Sequence, residues 1–421
     1  MAQPLQMMQR ISYDDLYRRW EKGNWSATDI DFTEDRRQWR EVFSDVQRRG
    51  AMWNYSLFLH GEDSVTDNLS PFIDAAPREE QKYFLATQQV DEARHAVFFG
   101  RFMREVVEAD DTLAGALEAT RPQLTWGFRK VFGRLDRMAD ELRADRSKPK
   151  LAQAVALYHV VIEASLAQPG QHFIESYLTE RELLPGFRSG MENVSLDEQR
   201  HIGFGVKLLS DLFAEDPECK EAVGELLREV LPYTAAVFVP PNWDTSLVEC
   251  FGFTLEQIFA EGMQSMETKL RTAGLPVEEI PGFPIPLDRP VDERIRRTLL
   301  LLRAGVLGEK TGPPGRDPEV LEILFDSVKS SVDPRFTPAR PTTIQWDFSD
   351  ADPWYLRIDN GNTSVSPGRA DSPDLTFRCR YEDWVDVSAR RADARRLMLT
   401  GKIRPRGSLR TLWQTQKIFA R

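Results

Sequence analysis

The stretch VDEARHAVFFGR (Val90–Arg101) is answered later in the chain by LDEQRHIGFGVK (Leu196–Lys207). Both contain the pentad Asp-Glu-x-Arg-His, at Asp91–His95 and Asp197–His201, in a chain with only five histidines. Residues three apart on a helix share a face, so Glu92 with His95, and Glu198 with His201, can each grip one metal ion. A single Glu-x-x-His describes many exposed polar helix faces, but two complete pentads do not follow from ordinary residue usage. A carboxylate-bridged pair of ions also needs one glutamate from each of two other helices. Glu62, in FLHGEDSV, and Glu163, in HVVIEASLA, each precede a pentad and sit in apolar stretches, where an unpaired carboxylate is costly. The expected ligands are therefore Glu62, Glu92, His95, Glu163, Glu198 and His201. Four carboxylates and two neutral imidazoles balance two divalent ions in charge. Asp91 and Asp197, one turn before their own histidines, are candidates to hold an imidazole N–H, with Arg94 and Arg200 bonding those aspartates. His60 and His172 read as ordinary polar residues, and His159, one turn from Glu163, is given no role.

The 421-residue chain is 41% apolar and 29% charged, an ordinary folded composition. No apolar run reads as long enough to cross a bilayer, and the amino terminus lacks the apolar core of a signal peptide. Cys219, Cys250 and Cys379 are too few and too scattered for a disulfide framework or a cysteine zinc site. A cytoplasmic protein is expected. The net charge of −11 argues against a nucleic-acid partner, because phosphate binding needs a positive face. Helical periodicity runs from a Thr33 cap through Val65, from near Pro77 to Glu108, and over roughly 150–180 and 185–214. Further helices are expected around 218–231, 248–272 and 291–308. EKTGPPGRDP (Glu309–Pro318) reads as a linker dividing a domain of residues 1–310 from one of 318–421. Beyond it, TTIQWDFSD, WYLRIDNGNTSV and DLTFRCRY alternate as short strands with a turn at Asn360–Gly361, which predicts a small α+β domain.

Residues 12 to about 305 resemble the ribonucleotide-reductase small-subunit superfamily, and within it the ligand-binding oxidases. The likeness is carried by LYRRWEKGNWSATDIDFTEDRRQW, GEDSVTDNLSPF, DEARHAVFFGRF, YHVVIEASLAQPGQHF and LPGFRSGMENVSLDEQRHIGFGVKLL. It implies a mainly α fold, a ferritin-like four-helix-bundle core with extra helices, holding a manganese–iron or iron–iron centre. It implies dioxygen and a reductant as partners, and an apolar tunnel in which a long-chain fatty acid touches the metals. It also implies an ether bond between Val65, three residues after Glu62, and Tyr158, five before Glu163. Reductase subunits usually carry a radical tyrosine four residues after the first histidine; Phe99 stands there, which argues against reductase activity. AQPG puts Pro169 and Gly170 soon after Glu163, a departure expected to reshape the tunnel.

Residues 318–421 resemble the sterol carrier protein type two domain, a five-stranded sheet with helices around a lipid tunnel. WYLRIDNGNTSVSPG, LTGKIRPRG and the closing SLRTLWQTQKIF carry that likeness, with Pro405 a departure from it. The expected function is an oxygen-activating dimetal-carboxylate oxidase acting on a lipid-like ligand, assembled as a homodimer. A diiron N-oxygenase or desaturase of a biosynthetic pathway is the alternative enzyme. From another class comes a non-catalytic lipid-binding redox sensor that oxidises itself at Tyr158.

Overall fold

The computed structural model describes residues 11–280, 283 and 285–419, and the chain divides into two compact units, Met1–Pro276 and Val277–Arg421. The first unit is built from helices α1 (Tyr13–Lys22), α2 (Thr33–Glu41), α3 (Asp45–Asn68), α4 (Ser70–Ala75), α5 (Glu79–Glu105), α6 (Leu113–Thr120) and α7 (Trp126–Ala144). These are followed by α8 (Lys148–Val155), a π-helical segment (Ala156–Ala167), α9 (Gln168–Arg181), α10 (Pro185–Glu215), α11 (Glu218–Thr234), α12 (Ser246–Glu249) and α13 (Leu255–Ala273). The ferritin-like bundle consists of α3, α5, the run from α8 through α9, and α10.

Local chemistry explains where the helices break. The pattern that reads as continuous from Thr33 to Val65 is cut at Ser44. The Ser44 hydroxyl accepts from the Gln47 N–H, and the Gln47 side chain accepts from the Ser44 N–H, a reciprocal cap that starts α3. Thr33 is not the cap of α2 but its first residue; Phe32 stands at the N-cap without a side-chain bond, and the Asp31 carboxylate just before it accepts the Thr33 N–H at 2.9 Å. Between the helices lies an aromatic core. The Phe187 ring packs 4.3 Å from Phe102 and 4.5 Å from Tyr55, centroid to centroid, and all three are buried. Each such ring stabilises the fold by roughly 1.5–3 kcal/mol through burial.

The run Lys148–Arg181 departs from the expected α-helix. Between Ala156 and Ala167 it winds as a π-helix, and the Gln168 N–H bonds the Glu163 carbonyl five residues back. In an α-helix, residues five apart point about 140° away from each other. Bonding from i to i+5 instead brings Tyr158 and Glu163 onto one face. Pro169 follows directly on the π segment inside this continuous run, so it takes one N–H out of the ladder where the winding passes from π to α. A Cβ on Gly262 of α13 would lie 2.7 Å from the Ser165 carbonyl oxygen, so only glycine lets α13 approach the π segment this closely. These 34 residues are also long and apolar enough to span a bilayer, contrary to the expectation that no segment is. The window that meets that criterion is 83% buried inside the unit, the character of a core helix.

The second unit begins earlier than the glycine- and proline-rich stretch suggests. Helix α14 (Val291–Arg303) packs on α15 (Pro318–Ser330), with Asp326 of α15 accepting from Arg297 at 2.5 Å and from Arg289 at 3.1 Å. Leu301 and Val306 join the core around Phe325, so Glu309–Pro318 lies within the unit and does not divide it from the first. The sheet comprises β1 (Thr342–Phe348), β2 (Trp354–Asp359), β3 (Asn362–Pro367), β4 (Leu375–Cys379) and β5 (Arg404–Gly407), in the order β3-β2-β1-β4-β5. β1 and β4 are parallel and the other pairs antiparallel. Phe325 stacks between Trp354, at 4.7 Å, and Trp384, at 5.1 Å. Asn360 and Gly361, at φ 49° and 82°, make the tight left-handed turn between β2 and β3. The fifth strand that the resemblance implies is β5, short, basic and interrupted by Pro405, with no alternation of its own to mark it. As an edge strand it tolerates the absent N–H.

Candidate metal centre

Glu62 on α3, Glu92 and His95 on α5, Glu163 on the π segment, and Glu198 and His201 on α10 are all buried in the first unit. Their ligand atoms form two overlapping groups, Glu62, Glu92, His95 and Glu198, and Glu92, Glu163 and His201, each spanning no more than 4.8 Å. His95 Nδ1 lies 3.4 Å from Glu62, 3.5 Å from Glu92 Oε2 and 3.5 Å from Glu198 Oε1. His201 Nδ1 lies 3.1 Å from Glu92 Oε1, 3.6 Å from Glu163 and 3.8 Å from Glu198 Oε2. Glu92 and Glu198 thus turn one oxygen toward each histidine, as carboxylates bridging two ions do, while Glu62 and Glu163 close the two ends.

The donor set fits a pair of cations. Both histidine Nδ1 atoms, Glu163 Oε2 and Glu198 Oε2 are buried without a hydrogen-bond partner among the described residues. Each Nε2 faces an aspartate, so in the neutral tautomer Nε2–H donates outward and the Nδ1 lone pair faces carboxylate oxygens. Lone pair against carboxylate is repulsive unless a proton or a metal ion lies between. Burial, reinforced by neighbouring carboxylates, pushes Glu62, Glu163 and Glu198 above the usual carboxylate range. Burial opposes charge on the histidines, but Glu62 and Asp197 at His95, and Glu92 and Asp91 at His201, outweigh it and raise both. Burial likewise pushes Glu92 up, yet His201 and His95 hold it well below the carboxylate range. Ion binding must therefore displace protons held by this cluster.

Around it runs a closed ring of charge, and here the pairing differs from the expected one. His95 Nε2 is 3.1 Å from Asp197, and His201 Nε2 is 3.1 Å from Asp91, so each aspartate serves the histidine of the other helix. Arg94 bonds both aspartates, its own-helix Asp91 and, at 3.1 Å, Asp197; Arg200 bonds Asp197 and, at 3.2 Å, Asp91. Burial raises Asp197, but His95 and Arg200 prevail and hold it below the usual range. Two tryptophans complete the ring; both stand in the stretch LYRRWEKGNWSATDIDFTEDRRQW, which by itself gives them no role. Trp20 Nε1–H donates to Asp91 at 2.9 Å and Trp25 Nε1–H to Asp197 at 2.8 Å.

Tyr158 and Val65 line the same cavity beside the cluster. Burial and the adjacent Glu163 raise the Tyr158 phenol far above its ordinary range, and its O–H donates to Glu92 Oε1 at 2.5 Å. Gln88, one turn before Glu92 and unforeseen, is completely buried. Its Nε2 donates to the Tyr158 oxygen at 3.1 Å and to Glu163 at 2.9 Å, while its Oε1 lies 3.2 Å from His159 Nε2. His159 thus has a place after all, holding the amide that holds Glu163. His60 bonds Thr120 at 3.0 Å and His172 is 62% exposed at its side chain, so neither approaches the site. The cavity, of about 60 Å³, is walled by Leu57, Phe58, Phe128 and Phe132 on its apolar side and by Glu62, Glu92, Glu163 and Glu198 on the other. Phe99, four residues after His95, is buried and stacks on Phe58 at 5.4 Å, leaving no phenol at that position.

Residues 6–235 match the family described as ribonucleotide reductase, small chain, and residues 322–420 match the SCP-2 sterol transfer family. Among solved structures, the R2-like ligand-binding oxidase from Sulfolobus acidocaldarius is 23% identical, the match covering 64% of this chain and 94% of that one at a TM-score of 0.52. An R2-like ligand-binding oxidase variant with an anaerobically reconstituted Mn/Fe cofactor is 22% identical over 62% of this chain and 94% of its own, at a TM-score of 0.53. Another, with the cofactor reconstituted aerobically, is 21% identical over 62% and 93%, also at 0.53. At these identities the likeness is one of fold.

Proposed function

The chain belongs to the ribonucleotide reductase small-chain family, and from that premise we propose that it is an oxygen-activating dimetal oxidase of an apolar, lipid-like substrate. The observation that carries this reading is the cavity whose one wall is four carboxylates and whose other is aromatic and aliphatic. Reductase subunits usually carry a radical tyrosine at this position, and the phenylalanine Phe99 stands there instead.

Glu62, Glu92, His95, Glu163, Glu198 and His201 would hold two ions, manganese–iron or iron–iron. Such a pair, once reduced by an external donor, supplies dioxygen activation and removal of hydrogen from a bound substrate. The chain's own contribution is positional. Asp91 and Asp197 fix the tautomer and tilt of the imidazoles, Gln88 fixes Glu163, and Phe128 and Phe132 keep water from the substrate's reacting carbon. A long-chain fatty acid is the substrate class that the apolar wall favours. The SCP-2-like residues 322–420 would then act as a lipid carrier for the same chain. All three cysteines are unpaired, which favours a reducing, cytoplasmic setting, and a homodimer is the assembly we propose.

The test is dioxygen consumption by the metal-loaded full chain with fatty acid and reductant. Many turnovers per chain are expected. A single turnover that ends in oxidised Tyr158 would identify a redox sensor, and Glu92→Ala or Glu198→Ala, each removing a carboxylate that faces both histidines, should lower metal content from two ions toward none.

A further inference from the structure

One helix face leads away from the metal centre and ends on a buried side-chain oxygen with no partner among the described residues. Asn54, Leu57, Phe58, Gly61, Glu62 and Val65 all line the 60 Å³ cavity from α3. Their spacing of three and four residues makes them a single stripe along the helix. Asn54 stands eight residues before Glu62, about 12 Å along the axis at 1.5 Å per residue. It also borders a second cavity of about 50 Å³, and Phe238 is the other residue shared by the two. The two spaces therefore adjoin along the length of α3, with Asn54 and Phe238 at the junction.

Asn54 Oδ1 is buried and has no hydrogen-bond partner among the described residues. Around it the first cavity offers Leu57, Phe58, Val237 and Phe238, none with a side-chain polar atom. A buried acceptor left unpaired is destabilising, and the second cavity adds Trp53 Nε1, a buried donor likewise without a partner among the described residues. An aliphatic residue would serve better at this position if the chamber took a plain hydrocarbon chain.

Building on the lipid-oxidase reading above, we propose that Asn54 is a specificity-determining residue whose side-chain oxygen accepts a hydrogen bond from a substrate hydroxyl about 12 Å along the chain from the end nearest Glu62. The substrate class is thus an elongated apolar chain carrying an alcohol remote from the metal centre. Asn54 takes no part in the chemistry; it selects which chain lies along α3 and in which direction.

The probes are decanoic acid and its ω-hydroxy derivative, titrated calorimetrically and without air into the metal-loaded full chain, so that nothing is oxidised. The wild type should bind the hydroxy acid roughly five- to tenfold more tightly, the effect of one satisfied hydrogen bond. Asn54→Leu should bind both acids alike, with a melting temperature equal to or above that of the wild type, because an unpaired buried oxygen has been removed. Equal affinities in the wild type, or a preference that persists in Asn54→Leu, overturn the assignment alone. Failure of both acids to bind the wild type overturns it together with the lipid-oxidase reading beneath it.

Discussion

His95 Nε2 lies 3.1 Å from Asp197, a residue of the other pentad helix, although Asp91 stands only four positions before it in its own. The reciprocal pair, His201 with Asp91, has the same separation. Each imidazole is therefore aimed by the opposite helix, and the two pentads work as one interlocked unit. Because the histidine's Nδ1 faces the carboxylates, its Nε2 faces outward across the helix pair, beyond reach of a side chain one turn back.

This crossing predicts a specific pattern of coupling. Asp197→Asn should weaken ion binding on the His95 side, by about ten- to a hundredfold, the usual effect of losing such a partner. Added to His95→Ala it should then cost little more, whereas added to His201→Ala it should cost its full amount. Metal affinities across this double-mutant cycle check the point. The reverse pattern would mean that the aspartates serve their own helices.

Acid sensitivity should trace partly to His159. Burial first, and then His201 nearby, lower its pKa to about 3. An unfolded histidine titrates near ~6.5, so as pH falls below that the unfolded chain takes up a proton that the folded chain refuses. Its contribution to stability is present above about pH 6.5 and is lost progressively toward pH 3, by about 1.4 kcal/mol per pH unit. Urea unfolding of His159→Gln should show a shallower loss than the wild type between pH 6 and 4, roughly the window set by those two values. Parallel curves would remove His159 from the account.

Oxygen exposure of the manganese- and iron-loaded chain should join Val65 to Tyr158, which line one cavity. The phenol loses its O–H hydrogen and the valine its Cβ hydrogen, an O–C bond forms, and the two electrons pass to dioxygen. Mass spectrometry should find the joined peptides lighter by two hydrogens, and Tyr158→Phe should abolish them. Unjoined peptides from a fully loaded, aerated sample would tell against the ligand-binding oxidase reading.

The division at Pro276 also has consequences. A chain ending at Pro276 should stay monodisperse in size-exclusion chromatography and keep its metal content. One ending at Asp317 should aggregate, because it retains α14 while Leu301 and Val306 lose the core around Phe325. If residues 322–420 supply lipid, the chain ending at Pro276 should need far more fatty acid for the same oxidation rate. Equal rates at low lipid concentration would end the carrier reading.

The sequence by itself determined the parts whose signal is local. Two Glu-x-x-His pairs, with Glu62 and Glu163 upstream in apolar surroundings, mark the four bundle helices because a 3.6-residue period dictates which residues share a face. Asn360–Gly361 marks a hairpin because both residues accept left-handed backbone. Tertiary structure decided the rest. A helical period says nothing about which side chain on another helix a group will meet, so the crossed histidine–aspartate pairs and the roles of Gln88, Trp20 and Trp25 were invisible until the helices packed. The π segment is the clearest case. Read at α-helical spacing, Tyr158 and Glu163 diverge, and only the wider winding of Ala156–Ala167 turns both toward the metal centre. The sheet repeats the point, since β5 owes its existence to pairing with β4 and not to its own residues. So does the unit boundary, which follows the packing of α14 on α15 and not the prolines of Glu309–Pro318.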